Sequence, residues 1–564
     1  MLISLKSKFA NHLKSTWGLV VFGVLALPVL IVIWCLPWFV TQDGPLHLYN
    51  AHIMIELLKS HSPLQEIYAV RWDPLPYWGA HAALTALMSF LSDRAADRVM
   101  LTLTSIGFAG SMLWLRWRVA GWEGMTIAAP LAVLVSLNAL WLLGLYSFLL
   151  GSCLFIITLG VWWSGRECMG AKHALIIAAL LVLGYFSHLI SLAVTVIALA
   201  VLALITPGPG WLRRVGWTAA SLAPVLPLAI IYKRMMQDNG EVRATWGRIT
   251  DFLSLQQWLD YSSGVDFLSL RADKNNFPFV EGHSEWHGLV SPYVWGTVAL
   301  AILVTVTIFA RSRETGPSAK AGRVWIILPL VLIIGAYISP DSFGGQHGGI
   351  LRERILLLGV ATLVAGLRIN TKQLSVKFAG AALMLAAVVQ IGFVYEYGFS
   401  SNDIVGDFMR AKPYVGEGQR VEILRVNVES RFRANPIHNL SNMLGIGTGN
   451  VVWNNYGPSL YYFPIKFKDE STGECARSLS DVSQFEYNDP DVDIEEQIEY
   501  WSLMLEENHD KIDALVVWGS APTLDAANAQ WYGPRPVFDT GQTRVFHIAP
   551  ANPESNVKLI EGKK

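Results

Sequence analysis

The chain has 564 residues, 52% hydrophobic and 15% charged, with a net charge of −1. Soluble proteins carry roughly 25% charged residues, so this composition, with its positive mean hydropathy, describes a protein built for lipid. The balanced charge excludes the basic surplus of a nucleic-acid binder. Cys35, Cys153, Cys168 and Cys475 form no CxxC and no paired framework.

The first apolar run, residues 17–40, is longer than the roughly 7–15 residues of a signal-peptide core. Lys6, Lys8 and Lys14 precede it and no cleavage pattern follows, so it reads as an uncleaved anchor with a cytoplasmic N terminus. Next comes "TQDGPLHLYNAHI" (41–53). Within 46–59, Leu46, Tyr49, Ile53 and Leu57 share one helical face, a pattern suited to an interfacial helix. Asp43-Gly44-Pro45 would start it, with Asp43 as cap and Pro45 in the first turn.

The apolar segment 76–91 is short for a crossing that needs about 20 residues. A crossing there would also invert the charge pattern downstream, so it reads as a helix lying in or dipping into the outer face. Further spans are expected at 99–115, 125–142, 147–164, 216–232, 291–310, 324–339, 354–367 and 378–395. Residues 174–206 read as two spans meeting at His188. Basic connections at 116–124, 164–173, 207–214, 311–323 and 368–377 belong inside. The loops 41–98, 233–290 and 340–353 and the tail 396–564 then fall outside.

In the tail, "QRVEILRVNV" and "IDALVVWGS" predict buried strands, "DIEEQIEYWSLMLEENHDKI" an amphipathic helix, and "RPVFDTGQTRVFHIA" a closing hairpin. The expected fold is a polytopic α-helical membrane protein of about eleven spans (1–395) carrying an extracytoplasmic α/β domain (396–564). That domain has neither GxGxxG nor GxxxxGK, so nothing supports nucleotide binding.

Asp43 is the sharpest candidate for chemistry. A carboxylate at the outer end of the first span could take a proton from a hydroxyl acceptor. Position alone favours the plainer reading, a helix cap worth about 1 kcal/mol. His47, four residues on, could orient Asp43, bind a phosphate when protonated, contact the acceptor, or simply sit at the interface; His52 projects elsewhere and reads as structural. Arg352 and Arg354 flank Glu353 at the start of a late span, where a guanidinium suits a phosphate and also suits headgroup snorkelling. Arg352 is favoured, because Glu353 and Arg354 can satisfy each other. Lys233 and Arg234 read as headgroup contacts.

His283 and His287 in "EGHSEWHG" have helical spacing for zinc, but flanking glycines favour a loop covering a site. The glycines of "DSFGGQHGGI" (341–350) read as turns of an outer loop close to the membrane. Trp72, Trp246 and Trp258 are weak candidates for sugar contact.

Three stretches carry a family likeness. "DGPLHLYNA" (43–51) is similar to a D-x-P-x-H-L-x-x-A stretch of bacterial members of the GT-C superfamily of membrane glycosyltransferases. "DPLPYWGAHAALTALM" (73–88) resembles the Pro-aromatic segment after their first loop, and "GGILRERILLLGV" (348–360) their arginine-containing late span. The resemblance implies sugar transfer from a polyprenyl-phosphate carrier to a lipid, glycan or protein acceptor outside the cytoplasm of a bacterial inner membrane, with inversion. It makes Asp43 the catalytic acid-base residue, with His47, Arg352 and Arg354 as substrate-binding candidates. Many such enzymes place a second acid after the fourth span. "LLGLYSFLL" (142–150) has none, which puts a divalent metal in doubt. The alternatives are a transporter or flippase, which usually carries ionisable groups within its spans, and an inactive scaffold of envelope assembly. The expected spans hold few charges, His188 and Asn138 being their main polar interruptions.

Overall fold

The computed structural model describes residues 2–59, 61–239, 244–245, 266–271, 292–314, 317–340, 342–343, 349–486, 493–520 and 522–548. Trp246, Trp258, the 281–288 stretch with His283 and His287, and most of 341–350 lie outside the described residues.

The helices, in chain order, are α1 (Leu2–Cys35), α2 (Gly44–Leu57), α3 (Trp78–Met88), α4 (Asp93–Ala120), α5 (Met125–Ser136), α6 (Tyr146–Gly165), α7 (Ala171–Ser187) and α8 (Leu189–Ile205). There follow α9 (Trp211–Ser221), α10 (Val225–Asp238), α11 (Pro292–Arg313), α12 (Pro317–Ile338), α13 (Leu351–Gly366) and α14 (Leu374–Met409). Five stretches within them are long and apolar enough to cross a membrane: Thr16–Cys35, Asp93–Ala120, Tyr146–Gly165, Val294–Arg313 and Leu374–Val415. The α9–α10 pair, bent by 46°, adds a sixth. The eleven crossings expected from the sequence would require the shorter apolar helices α5, α7, α8 and α12, and α13, to span as well. The break expected at His188 is present: its backbone is extended (φ −167°, ψ 129°) between α7 and α8. At 11 residues, about 16 Å, α3 is too short to span by itself.

Two expectations are corrected. The long helix expected to end at 395 continues to Met409 as α14, so its C-terminal end lies inside the stretch assigned to the tail. And α2 is not interfacial. Every residue from Gly44 to Met54 is buried, because α3 covers one side and the 3-10 turn Leu440–Leu444 of the C-terminal region the other.

The C-terminal region adds helices α15 (Glu470–Asp481), α16 (Ile494–Asn508) and α17 (Pro522–Tyr532) to a small sheet. Its strands are β2 (Arg420–Val426), β3 (Val451–Val452), β5 (Gln484–Phe485), β6 (Ala514–Trp518), β7 (Phe538–Asp539) and β8 (Thr543–His547). β2 pairs in parallel with β3, β5 and β6, while β8 closes antiparallel on β6 and β7, the hairpin expected from the sequence. β4 (Ile465–Phe467) lies outside this sheet and pairs antiparallel with β1 (Tyr68–Val70) of the 41–98 loop. Along α2, Tyr49 Oη donates to the Asn450 carbonyl (2.6 Å), Asn455 Nδ2 to Asn50 Oδ1 (3.0 Å), and the Gly447 amide to His52 Nε2 (3.1 Å). Gly445 lies so close to Tyr49 that a Cβ there would sit 2.2 Å from the ring. The tail is therefore keyed to the 41–98 loop by backbone pairing and buried amides.

Candidate active site

Asp43 stands in the turn between α1 and α2. Its amide donates to the Leu143 carbonyl (3.0 Å), and the Gln42 amide to Leu142 (3.1 Å), so the turn is laced to the segment just before α6. Gly144 makes this approach feasible: its φ is +78°, and a Cβ would meet Thr41 Oγ1 at 2.6 Å. Behind the turn, Tyr146 Oη donates to Asp97 Oδ1 at 2.6 Å and lies 3.3 Å from Thr41 Oγ1.

The capping role expected of Asp43 is not what its side chain does. Asp43 occupies the N-cap position of α2, but its backbone is helical (φ −97°, ψ −6°) and its carboxylate makes no cap bond. The carboxylate accepts instead from Asn439 Nδ2, at 2.9 Å, across from the C-terminal region. Burial pushes the Asp43 carboxyl up to about 7, against the Asn439 hydrogen bond and the Arg354 charge, which both favour the ionised form. Asp43 is thus poised near neutral pH.

His47, one turn along α2, faces the same cleft. Its Nδ1 lies 3.4 Å from His81 Nε2, and His81 Nδ1 lies 3.0 Å from the Tyr77 carbonyl. A carbonyl only accepts, so neutral His81 donates from Nδ1 to Tyr77 and its Nε2 accepts a hydrogen bond from His47 Nδ1–H. Burial first, then His81, pushes the His47 ring down to about 3. Of the roles left open by the sequence, the cationic phosphate ligand is the one this burial opposes.

Arg354 and Arg352 separate clearly. Arg354 is buried and lines the cleft, its Nη1 3.3 Å from His188 Nε2 and its guanidinium 5.5 Å from the Phe148 ring centre. Arg352 lies outside the cleft lining, its guanidinium 5.7 Å from the Tyr337 ring centre. The two are about 200° apart on the helix, so only one can face the cleft. Trp72 is exposed and stacks on Trp78.

Several lining residues carried no signal in the sequence. Tyr456, Leu460, Tyr462 and Phe463 come from the C-terminal region and close the cleft opposite Asp43. Tyr77 packs 4.9 Å from the Tyr462 ring and reaches His188 Nε2 with its hydroxyl at 3.2 Å. Tyr77 and His188 also belong to a second cavity of about 560 Å³, an apolar groove walled by α8 and α10 with Lys233 at its rim. The polar cleft and the apolar groove therefore share Tyr77 and His188 as a common wall.

Among the described residues no three His, Cys, Asp or Glu side chains gather as a metal site. The cleft offers one carboxylate beside a neutral imidazole, a poor donor set for a hard divalent cation, which prefers several oxygens.

No family model and no curated protein matches the sequence. Among solved structures, the chain is similar to ArnT from Cupriavidus metallidurans bound to undecaprenyl phosphate, with 12% identity over 95% of this chain and 99% of that one, at a TM-score of 0.48. It is similar to the arabinofuranosyltransferase AftD from Mycobacteria, with 13% identity over 95% of this chain and 40% of that one, at 0.46. A third is AglB from Archaeoglobus fulgidus in complex with an inhibitory peptide and a dolichol-phosphate, with 10% identity over 96% and 75%, at 0.42. At these scores the likeness carries no inference about chemistry.

Proposed function

We propose that this protein transfers a sugar from a polyprenyl-phosphate carrier to a hydroxyl acceptor on the outer face of the membrane. The observation that carries the reading is a buried carboxylate and a buried guanidinium, Asp43 and Arg354, lining one polar cleft beside an apolar groove. His188 Nδ1 accepts from the Ile190 amide (3.2 Å), so the neutral ring holds its proton on Nε2. Arg354 has only protons to offer. The Nε2 proton of His188 is met by the Tyr77 hydroxyl at 3.2 Å, so the Arg354 guanidinium, 3.3 Å from the same nitrogen, is the group that brings charge to a phosphate oxygen, and the groove beside it suits a hydrocarbon chain. The basic residues in the connections assigned to the inner side support the outer orientation.

In the transfer, Asp43 takes the proton of the acceptor hydroxyl as its oxygen bonds to the anomeric carbon. The bond from that carbon to the phosphate oxygen breaks, and the electron pair stays with the phosphate. Direct displacement inverts the anomeric centre. Asn439 and the laced turn hold the base in place.

Direct binding tests the phosphate site. Purified protein should bind a polyprenyl phosphate more tightly than the matching polyprenol, and Arg354→Ala should weaken the phosphate about 10- to 100-fold, as expected for a lost charged hydrogen bond. Equal binding of phosphate and alcohol, or an unaffected variant, would contradict the assignment.

The base has its own signature in pH. Only ionised Asp43 accepts a proton, so kcat/KM should rise with pH through about 7. Asn439→Ala removes a bond that favours the ionised form, and the midpoint should move to higher pH with the plateau largely kept. A midpoint that stays put would show that Asn439 does not act on Asp43.

A further inference from the structure

We propose that the first turn of α6, with the hydroxyl of Ser147, forms a second anion subsite that receives the oxygen released from the anomeric carbon. This rests on the transfer reading above.

α6 is a 20-residue helix whose N terminus opens on the cleft: Leu145, Ser147 and Phe148 all line it, together with Asp43, His188 and Arg354. Its N-cap position is held by Leu145, which supplies no side-chain cap. The Tyr146 amide turns back to the Gly144 carbonyl (2.7 Å), while the amides of Ser147 and Phe148 find no acceptor among the described residues. Free first-turn amides and the helix dipole make such an end attractive to an anion.

Ser147 supplies the independent observation. It is only 3% exposed, and its Oγ has no hydrogen-bond partner among the described residues. Elsewhere on the same helix Ser152, Thr158 and Ser164 each return their proton to the carbonyl four residues back. For Ser147 that carbonyl belongs to Leu143, which already accepts the Asp43 amide. Ser147 makes no bond to it, and its hydroxyl is left unsatisfied at the cleft wall, at the cost usually attached to a buried unpaired group.

The chemistry asks for such donors late in the reaction. A sugar phosphodiester carries one negative charge. When the bond to the anomeric carbon breaks, its electron pair stays on the former bridging oxygen, and the polyprenyl phosphate approaches two charges near neutral pH. Donors aimed at the new charge are stronger in the transition state than in the ground state. Arg354 holds the charge already present, and the first turn of α6 takes the charge that develops.

The test is Ser147→Ala, with the free polyprenyl phosphate as probe beside turnover. Because the hydroxyl has no protein partner, the variant should melt at the wild-type temperature or slightly above it. Its kcat should fall about tenfold and its affinity for polyprenyl phosphate by a similar factor, as for one charge-assisted bond, with donor KM within about twofold of wild type. If Arg354→Ala loses the polyprenyl phosphate but Ser147→Ala keeps product affinity and kcat, the subsite is overturned and the transfer reading stands. The same follows if kcat falls only in step with the melting temperature. If wild type does not bind polyprenyl phosphate, the transfer reading itself falls, and this subsite with it.

Discussion

Replacing Asp43 with asparagine is expected to lower sugar transfer by about 10²–10⁴-fold while leaving the protein folded, the range for loss of a positioned general base. The substitution keeps the shape and a hydrogen-bonding oxygen for Asn439, and it removes a buried carboxyl that burial already drives toward its neutral form. Stability should therefore be unchanged or higher, while no side chain at this position can accept the acceptor proton. Turnover of the variant is measured beside its melting temperature and its affinity for polyprenyl phosphate. Loss of turnover with both of the others kept isolates the base. Wild-type turnover would remove Asp43 from the mechanism.

The second large effect concerns stability. Glu422 lies on β2 with no exposure, and neither carboxylate oxygen has a partner among the described residues. Burial pushes it up to about 8, outweighing the nearby Arg425 charge. Its unfolded value is 4.5, so the folded state holds the proton more tightly. Stability contributed by the neutral form is complete below about 4.5 and is lost as pH rises toward about 8. A shift of that size is worth on the order of 5 kcal/mol. Glu422→Gln should match wild type near pH 5 and exceed it by up to about that amount at pH 9. Unfolding followed by tryptophan fluorescence at the two pH values checks this, since Trp501 and Trp518 are buried in the same region. Equal pH dependence in the two proteins would mean that Glu422 finds a partner or water in the fold.

What the sequence conveyed was local. The break at His188, the short α3, and strands β2 and β6 follow from apolar run length and β-branched content within a few neighbouring residues. The sharing of one cleft by Asp43 and His47 follows from their four-residue spacing on one helix. The residues that complete the cleft are remote. Asn439 lies 396 positions from Asp43, and the pairing of β1 with β4 that helps bring the tail over α2 leaves no periodic trace. The burial of α2 was hidden for a related reason. Its spacing of Leu46, Tyr49, Ile53 and Leu57 implies one apolar face, but Asn50 Oδ1 and His52 Nε2 on other faces accept hydrogen bonds from the tail. The preference for Arg352 over Arg354 failed because the expected pairing of Arg354 with Glu353 does not decide which guanidinium faces inward. Helix rotation does.

The most direct measurement compares polyprenyl-linked sugars and envelope glycans, by mass spectrometry, in the native host carrying the wild-type protein, a deletion, or Asp43→Asn at normal abundance. A sugar donor that accumulates and a glycan that disappears equally in the deletion and the substituted strain are the results predicted, and they would name both sugar and acceptor. A substituted strain that matches wild type while the deletion does not would contradict the account, leaving a carrier or scaffold whose Asp43 is structural.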